Sequence, residues 1–313
     1  MKLFIKIILK HIIYLLFVTT FLNLLFDFSL KHSEYSNFNS WNLIFNSKIK
    51  AEIVIQGSSR AKEHFNINFL DSILGKNIFN FGMEGTGFDL QYARFLCYLT
   101  NNKKPKYIIQ NIDCSGTLEN SIYEVEQYLP YFNNTYIKKA ILESKIYTNI
   151  DFYLPLFKYS HNRNTIFSIL NGIQRFIKHK PPLLEKYQPQ NKKWDTTFYS
   201  FKKKNKYGFK ANVDKKSITE FNDFLNICKN ENIKVIFVYT PEYIELQKLT
   251  KNRDSIINIF KDLSIKYNVP ILDYSKDSIC LDTINFYNSR HMNAIGVNKF
   301  NLKLGKDLNK FIE

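Results

Sequence analysis

Five short runs rich in β-branched and aromatic residues recur along the chain: "EIVIQ" (52–56), "NIFNFG" (77–82), "PKYIIQNID" (105–113), "IKVIFVYT" (233–240) and "VPILDY" (269–274). They are continuous rather than alternating, which suits strands covered on both faces, as the strands of parallel sheets are. Amphipathic stretches separate them at Ala61–Leu74, Phe88–Leu99, Ser217–Asn232, Asn252–Tyr267 and Ala294–Phe311. Strands alternating with helices require right-handed crossovers. The pattern predicts an α/β domain, a three-layer α/β/α sandwich around a five-stranded, mostly parallel sheet. In such sheets a site forms at the carboxyl ends of the strands, where loops converge.

Two segments stand outside this rhythm. Residues 114–216, aromatic and lysine-rich with "HKPPLL" at 179–184 and "KKKNK" at 202–206, are too long for a loop and predict a helical insertion. The amino terminus, residues 1–30, holds an uncharged stretch from Ile12 to Phe26. At 1.5 Å per residue that stretch covers about 22 Å, short of a hydrocarbon core of about 30 Å. Counting from Ile5 restores the length, with Lys6 and Lys10 reaching toward headgroups. Lys2, Lys6 and Lys10 precede the run and no small-x-small cleavage site follows it. This reads as an uncleaved signal anchor, a transmembrane helix with its positive end in the cytoplasm. A polar connector (31–50) would lead to a domain at 51–313 facing the periplasm or cell exterior. The competing reading is the hydrophobic first helix of a soluble fold.

Lys and Arg outnumber Asp and Glu by 44 to 28, a net charge of +16. Such a balance suits nucleic acid, anionic lipid or an acidic polymer, but the lysines are scattered and solvation alone accounts for them. An extracytoplasmic domain makes nucleic acid an unsuitable partner. Cys97, Cys114, Cys228 and Cys280 lie far apart with no zinc spacing, so neither a metal site nor a disulfide framework is implied, although one bridge stays open. There is no phosphate-binding or dinucleotide fingerprint, and no cofactor is expected.

Four predicted strand ends carry polar residues that strands do not need: "GSSR" after the first, "GMEGTG" after the second, "NID" closing the third, and "FYNSRHMNAIG" (286–296) before the last helix. A serine becomes a nucleophile when a base lies within hydrogen-bond reach, and its oxyanion needs N–H donors. Taken singly the motifs are weak: Gly-Ser-Ser occurs in turns, and serine is a preferred helix N-cap. His64, on the helix after "GSSR", either approaches Ser59 or is a surface helix residue.

Together, these blocks resemble the SGNH/GDSL hydrolase superfamily, in particular its membrane-anchored branch that handles acyl groups on cell-surface polymers. The resemblance covers roughly residues 52–113 and 233–311 and implies a flavodoxin-like SGNH fold. It implies Ser59 as nucleophile with its own N–H in the oxyanion hole, Gly85 as a second donor, Asn111 as a third and His291 as base. Asp113 lines up with the third block about as well as Asn111 does. Where the family has Asp three residues before the base, this chain has Asn288. In a serine protease such a change left the geometry intact and cost about 10⁴ in turnover through the wrong imidazole tautomer. Three readings follow: a backbone carbonyl orients His291; another carboxylate does, Asp113, Asp282 or Glu242; or catalysis is lost. Arg60 either holds an anionic group of the substrate or is a surface residue.

The function implied is that of a serine esterase or O-acyltransferase acting on acyl (acetyl) esters of a surface polysaccharide. Its partners would be the membrane and an acylated glycan. The alternative is a catalytically inactive protein of the same fold that binds glycan or a membrane partner.

Overall fold

A computed structural model describes residues 1–119, 125–143, 145–161, 165–180 and 187–312; most of "HKPPLL" lies outside the described residues. In chain order the helices before the third strand are α1 (Lys2–Leu30), α2 (Ser36–Phe45), α3 (Ser59–His64), α4 (Ile67–Leu74) and α5 (Phe88–Asn101). Those after it are α6 (Thr135–Glu143), α7 (Asn149–Tyr153), α8 (Thr165–Ile177), α9 (Thr197–Lys204), α10 (Lys215–Asn230), α11 (Ile244–Leu249), α12 (Arg253–Tyr267) and α13 (Ala294–Leu308). The strands are β1 (Ile53–Gln56), β2 (Ile78–Asn80), β3 (Tyr107–Ile112), β4 (Lys234–Tyr239) and β5 (Ile271–Asp273).

The chain divides into two compact units: one of residues 1–48, 96–101 and 124–185, the other of residues 49–95, 102–123 and 186–313. The second is the α/β unit. Its five strands run in the order β2-β1-β3-β4-β5, all parallel, with Ile55 opposite both Asn80 and Ile109, and Asn111 opposite Val238. β1 and β3 are buried along their whole lengths, as strands with helices on both faces must be. One face carries Ile53, Ile55, Ile109, Ile236 and Val238 against Phe65, Leu70, Phe300 and Leu304 of the α3–α4 region and α13. The other is aromatic: Phe237 of β4 meets Phe221 at 5.5 Å between ring centroids, and Phe221 meets Phe88 at 4.4 Å. Period-two alternation along β4 sends Ile236 and Val238 one way and Phe237 the other. The direction of chain progression reverses between β1 and β3, the kind of switch point at whose carboxyl end sites form in open parallel sheets.

The stretch Ala61–Leu74, expected as one helix, is two. Phe65 leaves helical geometry at φ −101° and ψ 107°, and Asn66 caps α4 by accepting from Phe69 N at 3.2 Å. Buried Asn301 of α13 secures both sides of the break, accepting from Asn66 N at 2.9 Å and donating to His64 O at 2.7 Å. The break lets Phe65 pack edge-on against Phe300.

In the first unit, α1 is one helix long and apolar enough to cross a membrane, and none of its most apolar stretch is buried. Its 29 residues rise about 43 Å, more than a hydrocarbon core of about 30 Å. Within the segment read as a polar connector, α2 buries Phe38, Trp41, Leu43 and Ile44. Asn42 closes the end of α1 by donating to Leu30 O at 3.0 Å, and Trp41 donates to Gln127 Oε1 at 3.0 Å. The long insertion is helical through α6, α7, α8 and α9, but residues 124–185 group with the amino terminus while 186–216 join the α/β unit.

Candidate active site

β1 ends at Gln56, and the chain must turn into α3 beside β3. Gly57 makes that turn at φ 154°; a Cβ there would stand 2.7 Å from Ala61 Cβ and 2.9 Å from Asn111 Cβ, so only glycine fits. Ser58 is the N-cap residue in extended geometry, and Ser59 is the first residue of α3. A first-turn N–H has no acceptor within its own helix, so the Ser59 N–H is a donor available at the serine's own position.

Ser59 Oγ lies 2.8 Å from His291 Nε2. His291 sits on the loop before α13, closed by an antiparallel bridge between Phe286 and Met292 and by Tyr287 N donating to His291 O at 3.1 Å. Asn288 organises its tip. Its Oδ1 accepts from Arg290 N and from His291 N, each at 2.9 Å, and lies 3.1 Å from His291 Nδ1. Two backbone N–H groups can face only an acceptor, so the amide oxygen, not the NH₂, points at the ring. Nδ1 therefore carries the proton, and Nε2 is left as a lone-pair acceptor facing Ser59. This is the tautomer a general base requires, reached without a carboxylate.

The orienting group is thus the side-chain oxygen of Asn288, neither a backbone carbonyl nor a distant acid. The three acids considered for the role are engaged elsewhere. Asp113 Oδ1 accepts from Ser115 N at 3.0 Å and Thr117 N at 3.2 Å, shaping the loop after β3. Asp282 caps the turn at Ile284. Glu242 is buried against Arg60 Nη1 at 3.1 Å and the Tyr239 hydroxyl. The Asn288 amide carries no charge to stabilise an imidazolium. Burial, and then the positive charges of Arg60, Arg290 and Lys192, push His291 down to about 3. Burial likewise raises the Asp113 carboxyl, with the Arg60 guanidinium pulling the other way.

Arg60 is neither a surface residue nor placed to greet an anion. As the second residue of α3 it points inward, donating from Nε to Thr240 Oγ1 at 3.1 Å, from Nη2 to Thr240 O and from Nη1 to Glu242, with its guanidinium over the Tyr239 ring at 5.1 Å. A buried guanidinium needs a paired carboxylate, and Glu242 supplies it.

Asn111, expected as an oxyanion donor, is 1% exposed and spends its amide on the sheet, donating to Val238 O at 3.0 Å and leaning toward Ile112 O at 3.5 Å. The reason is its position inside β3, opposite Val238, where the neighbouring strand's carbonyls are the nearest acceptors. Gly85 sits in an exposed turn at φ 63°. Gly82 is the glycine of "GMEGTG" that meets α3, the helix that Ser59 opens: a Cβ there would overlap Lys62 N at 2.1 Å. Asn80 at the end of β2 holds the two together, accepting from Gly82 N and donating to Ala61 O, both at 2.7 Å.

His64 is fully buried, not on the surface. Met292 N donates to its Nε2 at 3.0 Å, which forces the proton onto Nδ1, which donates to Thr240 Oγ1 at 2.9 Å. Its ring centroid lies 6.0 Å from that of His291, and it pins the residue that follows His291. Tyr287 stacks on the outer face of His291 at 5.5 Å and 9°, its hydroxyl held by Glu63 at 2.5 Å. The sequence reading gives Tyr287 no role, although it lies in the "FYNSRHM" block, and the inward face of α3 leaves no periodic signal in six residues.

No family model matches the chain, and no curated protein does. Among solved structures it is similar to a protein from Desulfitobacterium hafniense DCB-2 described as a lipolytic protein of the G-D-S-L family: 11% identity, TM-score 0.39, 81% of this chain and 97% of that one covered. It is similar also to a protein of Bacteroides fragilis NCTC 9343 described as an acylhydrolase, at 10% identity and TM-score 0.40, covering 83% of this chain and 88% of that one. A third is described as a GDSL-like lipase of Bacteroides thetaiotaomicron VPI-5482, at 8% identity and TM-score 0.38, covering 82% and 87%.

Proposed function

We propose that the chain is a serine esterase or O-acyltransferase acting on acyl esters, acetyl esters above all, of a cell-surface polysaccharide. The observation that carries this reading is the hydrogen bond from Ser59 to a His291 whose tautomer is forced by Asn288. Ser59 Oγ attacks the acyl carbonyl as its proton moves to His291 Nε2, and the tetrahedral oxyanion meets the Ser59 N–H. Collapse breaks the ester C–O bond, and His291 returns the proton to the departing sugar oxygen, leaving acyl-Ser59. Water or a second sugar hydroxyl then attacks, with the proton passing through His291 again. Under this reading α1 anchors the protein and the α/β unit works outside the cytoplasm.

A second reading is a catalytically silent protein that binds glycan or a membrane partner. Asn288 in the acid's place and the low His291 pKa favour it. The test is mass spectrometry of the full chain after exposure to p-nitrophenyl acetate and, separately, to a fluorophosphonate. An adduct on Ser59, absent from Ser59→Ala, is the expected result. Folded protein with no adduct from either reagent overturns the catalytic reading.

A further inference from the structure

Within the unit built from residues 1–48, 96–101 and 124–185, helix α8 has its polarity reversed. In α8 the buried side chains are Thr165, Ile169 and Arg175, with Gly172 between them, while Ile166, Phe167, Leu170, Phe176 and Ile177 are exposed. A helix that packs on a protein core in water shows the opposite arrangement. The pattern repeats nearby. Asp151 and Lys158 are inside, paired at 2.6 Å with His161 and Asp27, while Ile150, Tyr153, Leu154 and Phe157 lie on the surface. Exposed apolar residues scattered singly are ordinary, whereas contiguous ones mark a partner.

Contacts with α1 indicate what that partner is. α8 crosses α1 at Ser29, where a Cβ on Gly172 would collide with the Ser29 carbonyl oxygen at 1.9 Å. Phe176 meets Phe28 edge-on at 4.8 Å. Leu156 N donates to Asn23 Oδ1 at 3.2 Å, and Tyr159 donates to Asp27 Oδ1 at 2.5 Å. The segments that carry the exposed apolar residues thus meet α1 between Asn23 and His32, where its own Leu24, Leu25 and Phe28 are also exposed. They continue the apolar surface of a helix of membrane-crossing length. Lys178 and Lys180, exposed just after α8, are positioned for headgroups.

We infer that α7, the turn at 154–159 and α8 form a collar embedded in the bilayer, its exposed side chains among the lipids around the carboxyl end of α1. A helix lying in the interface with its apolar face about 5–10 Å deep would cover them. The inference rests on reading α1 as a membrane anchor.

The test uses the full chain in vesicles of phosphatidylcholine and phosphatidylglycerol. An environment-sensitive fluorophore is attached to single cysteines introduced as Phe167→Cys, Leu170→Cys or Tyr153→Cys, with Leu16→Cys in mid-α1 and Asn46→Cys as references. The native cysteines are buried and do not compete for the label. Labels at 153, 167 and 170 are expected to be quenched severalfold more by acyl-chain nitroxide lipids than the label at 46, and to be shielded from aqueous iodide, as at 16. If the label at 16 is lipid-quenched while those at 153, 167 and 170 respond to iodide like 46, the collar is refuted and the anchor stands. If the label at 16 also responds to iodide, both fall.

Discussion

Asn288→Asp tests the central feature of the site, an imidazole oriented by a neutral oxygen. Aspartate is isosteric, so its carboxylate can accept from Arg290 N and His291 N as the amide does. What changes is charge. A carboxylate oxygen 3.1 Å from Nδ1 attracts an imidazolium by about 5 kcal/mol at an effective dielectric constant of about 20. Desolvating the new carboxylate offsets about half of that in a half-buried site. A net gain of about 2–3 kcal/mol raises the His291 pKa by about 2 pH units, at about 1.4 kcal/mol per unit. The starting point is about 3, and the variant should titrate higher by roughly that increment. The same energy stabilises the imidazolium that forms as Ser59 attacks, which predicts about 30- to 150-fold faster turnover. The assay is p-nitrophenyl acetate hydrolysis across pH. The acid limb of kcat/KM reports the free base, and His291 must be neutral to act, so that limb should move up by about 2 pH units. An unmoved limb and an unchanged rate, with the fold intact by circular dichroism, would refute the argument that Asn288 Oδ1 faces the ring.

His64→Gln removes a clamp on the backbone beside the base and should lower kcat with KM unchanged, together with the rate of fluorophosphonate labelling at Ser59; a KM effect alone would contradict a positioning role. His64 is held well below its ordinary pKa of 6.5 by burial first and then by the charges of Arg60 and His291. The folded state therefore binds fewer protons than the unfolded one, and this residue's contribution is intact above pH 6.5 and lost as pH falls toward the folded value. That loss has a slope of at most about 1.4 kcal/mol per pH unit, measurable as the difference in urea stability between wild type and His64→Gln on acidification. Arg60→Ala strands a buried Glu242 and should cost about 3–5 kcal/mol, largely restored by adding Glu242→Leu; a raised KM at unchanged stability would instead make Arg60 a substrate contact. Gly57→Ala, at φ 154° with two Cβ contacts under 3 Å, should cost about 1–3 kcal/mol in chemical denaturation.

The strands were legible because a strand buried on both faces is apolar at most of its positions, and that demand is met within a few consecutive residues. Ser59 and His291 were legible because polar blocks at strand ends, which the sheet does not need, resemble in order and placement those of a known family. The other site residues were not. Asn111 reads the same whether its amide faces a crevice or the carbonyl of Val238, and the neighbour across β4 decides. Arg60 and His64 sit on a helix of six residues, too short for periodicity to reveal an inward face. The break after His64 depends on Asn301, more than two hundred residues on.

By itself, then, the sequence determined which segments enter the sheet, where the chain is apolar enough to cross a membrane, and which two residues could form a nucleophile and base. The first two follow from local composition and period, and the third from the resemblance of four motif blocks to a known family. Only the tertiary structure decided how Asn288 serves His291, because a side-chain amide has a donor end and an acceptor end. Two backbone N–H groups, positioned by the fold of the loop before α13, choose between them.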